Sequence, residues 1–232
     1  YYPEDIASAS DLAAALNDVE SGSAEASGHQ VTLLKDVDLG SQGLKLTGDT
    51  ITLDLAGHEL SGAVSGNCDG VFGAIIEVGQ HARLTLTDSQ GGGLIRNTTG
   101  DLDNDGYMDG DGIHVKKGQF TMESGAVEAT CDAVAGLEDA ILTIKGGTLY
   151  GQANGLNVTY GSEATVVGDA GISGENAGVQ VLSGATATIK RGRIHGDLYG
   201  VAVGSLEDHA TSDIEATIQG GTITGDYGIY MD

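Results

Sequence analysis

Four stretches in the second half of this chain restate one another. They are "LTIKGGTLYGQANGLNVTYGS" (142–162), "ATVVGDAGISGENAGVQVLSG" (164–184), "ATIKRGRIHGDLYGVAVGS" (187–205) and "ATIQGGTITGDYGIYMD" (216–232). Each reads apolar-Thr-apolar, a glycine turn, an apolar residue, a second glycine turn, then apolar-x-apolar. Ile144, Val166 and Ile189 are equivalent, and Ile218 follows after an insertion near "LEDHATSD". Working backwards, the same rung falls on Met122, Leu86, Leu53 and Leu33. The third strand repeats as Ile76-Glu77-Val78, Ile113-His114-Val115, Leu156-Asn157-Val158, Val179-Gln180-Val181, Val201-Ala202-Val203 and Ile229-Tyr230-Met231. A repeat of about 22 residues with three short strands and no helix means a solenoid. One coil cannot bury its apolar face, but stacked coils share a continuous core. The L-x-x-L-x-L-x-x-N frame of leucine-rich repeats is absent. The expected fold is therefore an all-β parallel β-helix of about eight coils, right-handed because parallel crossovers are.

The one helical pattern lies over 7–19, where Leu12, Ala15, Leu16 and Val19 share a face and Ser10 suits the N-cap. It predicts an N-terminal cap over residues 1–30, with the β-helix occupying 31–232. The 39 glycines, single proline and absence of tryptophan fit a chain of regularly repeated turns. With 10 basic against 34 acidic residues the net charge is -24. Such a surface repels nucleic acid and anionic membranes, so neither is an expected partner. No apolar run reaches the roughly 18 residues of a membrane helix. The chain stops inside a repeat unit at Asp232 and is expected to be a mature or excised piece of a longer protein, whose coil ends could also self-associate.

The segment "ASDLAAAL…VTLLKDVDL…ITLDLAGHELSG" resembles the N-terminal cap and first coils of pectate-lyase-like right-handed β-helix domains in secreted surface proteins of Gram-positive bacteria. The resemblance spans essentially the whole chain. It implies the fold and an extracellular or cell-surface location, and the best-known chemistry of such proteins is cleavage of polysaccharides. Many such domains carry no assigned activity, and a fold alone does not give function.

Chemistry-bearing residues fall into four groups. "DLDNDGYMDGDG" (101–112) places Asp101, Asp103, Asp105 and Asp109 at positions 1, 3, 5 and 9 of an EF-hand-like frame, with Gly106 at the turn. The expected cofactor is one calcium ion held by these aspartates and the Tyr107 carbonyl. Gly112 stands where the bidentate glutamate belongs, so Asp111 or a water would substitute. A glycan-cleaving reading would use Asp109, Asp111, His114 and Glu77, but the paired-aspartate and G-H-G signatures of polygalacturonases are missing. A ligand-binding reading takes Tyr150, His195, Tyr199, Tyr227, Lys190 and Arg193, with Tyr150 in one outward column with Ser173, His195 and Thr224. Its partner would be a glycan or a protein of a host or neighbouring cell. Last, Thr32, Thr52, Thr85, Thr121, Thr143, Thr165, Thr188 and Thr217 form an expected threonine ladder, which admits an ice-binding reading. A disulfide between Cys68 and Cys131 is expected from the secreted setting. Among these readings a non-catalytic extracellular adhesion or ligand-binding module is the leading expectation.

Overall fold

The structure, a computed structural model, describes residues 4–6, 29–48, 50–65, 73–99, 110–204 and 213–232. Within them the chain winds through eight coils, each giving one strand in turn to sheets A, B and C. Every pairing is parallel, and each strand lies against its counterpart in the next coil. The expected parallel β-helix is thus present. The helix expected over 7–19 lies outside the described residues. Before the first coil, the strand Glu4–Ile6 pairs with His29–Leu33 and extends sheet A to nine strands.

The strands form because their alternation satisfies two environments at once. In sheet A, Leu53, Leu86, Met122, Ile144, Val166 and Ile189 point inward and are at most 2 % exposed. The residues between them face outward. Each fully buried aliphatic side chain contributes roughly 1.5–3 kcal/mol, and the stack makes these contributions continuous from coil to coil. Ile76, Ile113, Val134, Leu156, Val179 and Val201 form the matching inward column of sheet C. The corners need glycine where backbones of successive coils touch. At Gly147, with φ +82°, a Cβ would collide with the Gly125 carbonyl and with Met122 below it.

The threonine ladder is continuous over seven rungs, from Thr52 through Thr85, Thr121, Thr143, Thr165 and Thr188 to Thr217. The eighth expected rung is a correction. Gln30 lies opposite Thr52, Val31 opposite Leu53, and Thr32 opposite Asp54. The first coil is therefore displaced by two residues from the repeat read off the sequence. A slip of two preserves which side chains face inward, and Val31, Leu33, Leu53 and Leu55 are all buried. Apolar alternation is blind to such a shift.

Candidate functional site

Two clusters of polar side chains stand out, one sealed and one open. The sealed cluster occupies the corner between sheets B and C. It starts at Asn97, which ends the third coil's strand Leu94–Asn97 and donates through Nδ2 to the carbonyls of Val64 (2.9 Å) and Asp111 (2.8 Å). Asp111 lies in the strand Gly110–Lys116, where its Oδ1 accepts the Asp132 N–H at 3.2 Å and its Oδ2 lies 3.2 Å from His114 Nδ1. One coil on, Asp132 Oδ1 accepts from Asn154 Nδ2 (2.8 Å) and Oδ2 from Asn157 Nδ2 (2.7 Å). Asn154 Nδ2 also reaches Gln180 Oε1 (3.2 Å), and Asn154 Oδ1 accepts from Asn176 Nδ2 (3.0 Å). The result is a polar ladder crossing four coils.

This ladder is dry. Asp111, His114, Asp132 and Asn154 are each no more than 5 % exposed. Burial, followed by the charge of Asp111, pushes the Asp132 carboxyl up to about 7, against the pull of its Asn157 and Asn154 hydrogen bonds. Beside it, burial and then the neighbouring aspartates push the Cys131 thiol well above its ordinary range. A thiol held protonated is a poor nucleophile at neutral pH. Asp111, Cys131 and Asp132 offer ligand atoms that all lie within 4.8 Å of one another. The donors already make protein hydrogen bonds, however, and both oxygens of Asp111 are engaged. Asn157 Oδ1 is buried without a partner.

The structure brings Asp111 and His114 together, as the glycan-cleaving reading requires. It places Glu77 opposite His114 in the strand register but ties it to Lys45 at 2.8 Å. Asp101, Asp103, Asp105, Tyr107 and Asp109 lie outside the described residues, as does Cys68. Among the described residues Cys131 forms no disulfide. Gly112, the twelfth position of the expected frame, is among the described residues. Gly112 is inside a core strand, where a Cβ would meet Val127 and lie 2.6 Å from the Ala133 carbonyl oxygen. Asp132, Asn154 and Asn157 escaped the sequence reading. The signal available was the recurrence of Asp or Asn at 132, 154 and 176, one per repeat.

The open cluster covers the outer face of sheet B in coils five to eight. The register stacks Tyr150, Ser173, His195 and Thr224 in one column, and Thr148, Gly171, Arg193 and Thr222 in the column beside it. Tyr150 is 39 % exposed, and its hydroxyl donates to Glu175 Oε1 at 3.1 Å. His195 Nδ1 lies 3.0 Å from Thr224 Oγ1 and its Nε2 3.3 Å from Asp197. The same face in the earlier coils is closed by an ion-pair cluster, with Arg96 between Glu59 (3.8 Å) and Glu128 (3.1 Å). Of the other expected ligand residues, Lys190 sits exposed at the end of its sheet A strand. Tyr199 and Tyr227 belong to sheet C, where their ring centroids are 5.8 Å apart, and Tyr199 lies 4.7 Å from Tyr230.

No protein-family model, curated protein or solved structure matches the chain. The functional reading therefore rests on these two clusters.

Proposed function

We propose that the chain is a non-catalytic ligand-binding module of an extracellular surface protein, of the pectate-lyase-like kind that its first coils resemble. The outer face of sheet B would be offered to a glycan or to a protein on a host or neighbouring cell. The observation that supports this reading is the division of access. The clustered carboxyl and imidazole groups of the corner, Asp111, His114 and Asp132, are at most 5 % exposed, whereas Tyr150, Arg193, His195 and Thr224 are open. An acid or base must come within hydrogen-bond reach of its substrate, and a flat aromatic and polar face suits adhesion better. A calcium ion on Asp101, Asp103, Asp105, the Tyr107 carbonyl and Asp109 belongs to the proposal on the strength of its spacing alone.

One observation favours a second reading. Burial and the neighbouring Asp111 raise the Asp132 carboxyl, the direction a general acid needs, and the two side chains lie close together. That reading requires a conformation in which the corner opens.

Binding of the purified protein to immobilised glycans and to cell-surface protein fractions would be measured with the wild type, Tyr150→Ala and His195→Ala. The expected result is a ligand whose affinity falls at least tenfold in both variants while the melting temperature stays put. A ligand held equally by all three would remove this face from the proposal.

A further inference from the structure

The corner between sheets A and B changes electrostatic sign along the molecule. In the early coils it is filled by the chain's own carboxylates. Asp88 accepts the N–H groups of Gly57 (2.7 Å) and Gly93 (2.8 Å), and Asp54 Oδ1 accepts those of Ala56 (2.9 Å) and Ser89 (2.9 Å). Asp88 stands two residues beyond the buried rung residue Leu86. Two residues beyond the equivalent rung residue, Ile189, stands Arg191. Counted from the rung, a cation thus follows in the seventh coil where a carboxylate follows in the third, at the start of a turn that is four residues shorter.

Around Arg191 there is a surface cleft of about 540 Å³, lined by Asp169, Arg191, Gly192, Arg193, Gly221 and Thr222. Arg193 is exposed and has no acidic partner among the described residues, although the chain carries 34 acidic residues. It has open ground beneath it, because the position below is Gly171, where a Cβ would touch nothing closer than 3.5 Å. Arg191 pairs with Asp169 at 3.0 Å, but the two side chains are 66 % and 82 % exposed. A pair so hydrated is weakly held and readily exchanged. Lys190 adds a third exposed cation next to them. The net charge of -24 opposes any anion from afar, yet beyond a Debye length of about 10 Å that field is largely screened, and the cleft itself is lined by two cations, Arg191 and Arg193, against the single carboxylate of Asp169.

We propose that this corner receives carboxylate side chains from an acidic segment of a partner polypeptide. The inference rests on the reading of sheet B as the ligand face, since Arg193 and His195 are exposed on one strand of that face. A guanidinium pairs with carboxylates through parallel N–H donors, and at this corner Arg191 already pairs with the Asp169 carboxylate at 3.0 Å. An acidic side chain is favoured over an acidic sugar because the face has no tryptophan platform on which a sugar ring could stack.

The test is fluorescence anisotropy with a labelled Asp/Glu-rich peptide, its Asn/Gln counterpart and a uronate oligosaccharide, at low and at physiological salt. The protein would be wild type, Arg193→Gln, Arg191→Gln, Tyr150→Ala and Arg83→Gln. The last removes an equal charge from an exposed site elsewhere. The acidic peptide should bind, its neutral counterpart should not, and affinity should fall more than tenfold in Arg193→Gln and less than twofold in Arg83→Gln. No binding of the acidic peptide at low salt, equal losses in Arg193→Gln and Arg83→Gln, or binding of the uronate alone would each overturn the proposal. Loss in Arg193→Gln without loss in Tyr150→Ala would uphold the acidic corner while removing the aromatic column from the ligand face.

Discussion

The corner between sheets B and C and the outer face of sheet B lie one turn of the chain apart, and both are rich in polar side chains. They differ in where their hydrogen bonds go. In the corner, Asp111, Asp132, Asn154 and Asn176 bond to one another from coil to coil, and the first three are buried. On the face, Tyr150, Ser173, His195 and Thr224 repeat in the same register but keep much of their polar surface outward. A β-helix puts equivalent residues in columns whatever their purpose. Access to solvent is what separates a column that holds the coils together from one that can meet a partner.

The difference is sharpest in its dependence on pH. The folded Asp132 carboxyl, near 7, lies above its unfolded value of 3.8, so the native state holds a proton that the unfolded chain has released. Its stabilisation is complete below the unfolded value and is lost as pH rises through the folded one. Stability should fall as pH rises from about 4 towards about 7, by an amount on the order of a few kcal/mol. Asp132→Asn should remove most of that slope in urea melts at matched pH values. The variant amide can be accommodated, because the unpartnered Asn157 Oδ1 supplies an acceptor once its own amide turns. An unchanged slope in the variant would show that the pH dependence lies elsewhere among the carboxylates.

Asn154→Ala should cost somewhat less, about 2–3 kcal/mol, chiefly by leaving the buried Asp132 Oδ1 short of a partner, while the half-buried Gln180 and Asn176 lose one each. Urea denaturation at pH 7 measures it, and a loss below 1 kcal/mol would mean that water enters the corner. The corresponding change on the open face, Tyr150→Ala, should alter stability by no more than about 0.5 kcal/mol. A comparable loss at both sites would erase the distinction drawn between them. The smallest effect is expected from the threonine ladder. Its seven rungs are half-buried, and alongside it Glu123 and Lys145 form an ion pair at 2.7 Å. Charges beside the array spoil a flat ice-matching surface, so the protein should show no thermal hysteresis, and faceted ice growth in its presence would restore that reading.

Much of the fold was legible in the sequence because period and register are both written in apolar positions. The column Tyr150, Ser173, His195 and Thr224 could be read by counting from the buried rung. The displacement of the first coil could not, because Val31 and Leu33 are equally apolar and a shift of two leaves both inward. The sealed corner was half legible. His114 and Asp111 attracted notice through their types and spacing, while Asp132 sits in a connection and Asn154 at the very start of a strand, where flanking residues differ from coil to coil. Their role depends on contacts across 21 to 25 residues that periodicity does not encode. The aspartates of 101–109 carry a spacing signal whose surroundings lie outside the described residues.

The central claim is that the acid–base groups serve the scaffold and the exposed face serves the ligand. It is tested most directly by following one panel of acidic and neutral polysaccharides, with and without calcium, for both binding and chain cleavage. The account predicts that the protein yields no new reducing ends or unsaturated uronates, and that any binding seen is kept in Asp132→Asn and lost in Tyr150→Ala. Release of products by the wild type that disappears in Asp132→Asn would contradict it and make the sealed corner an active site.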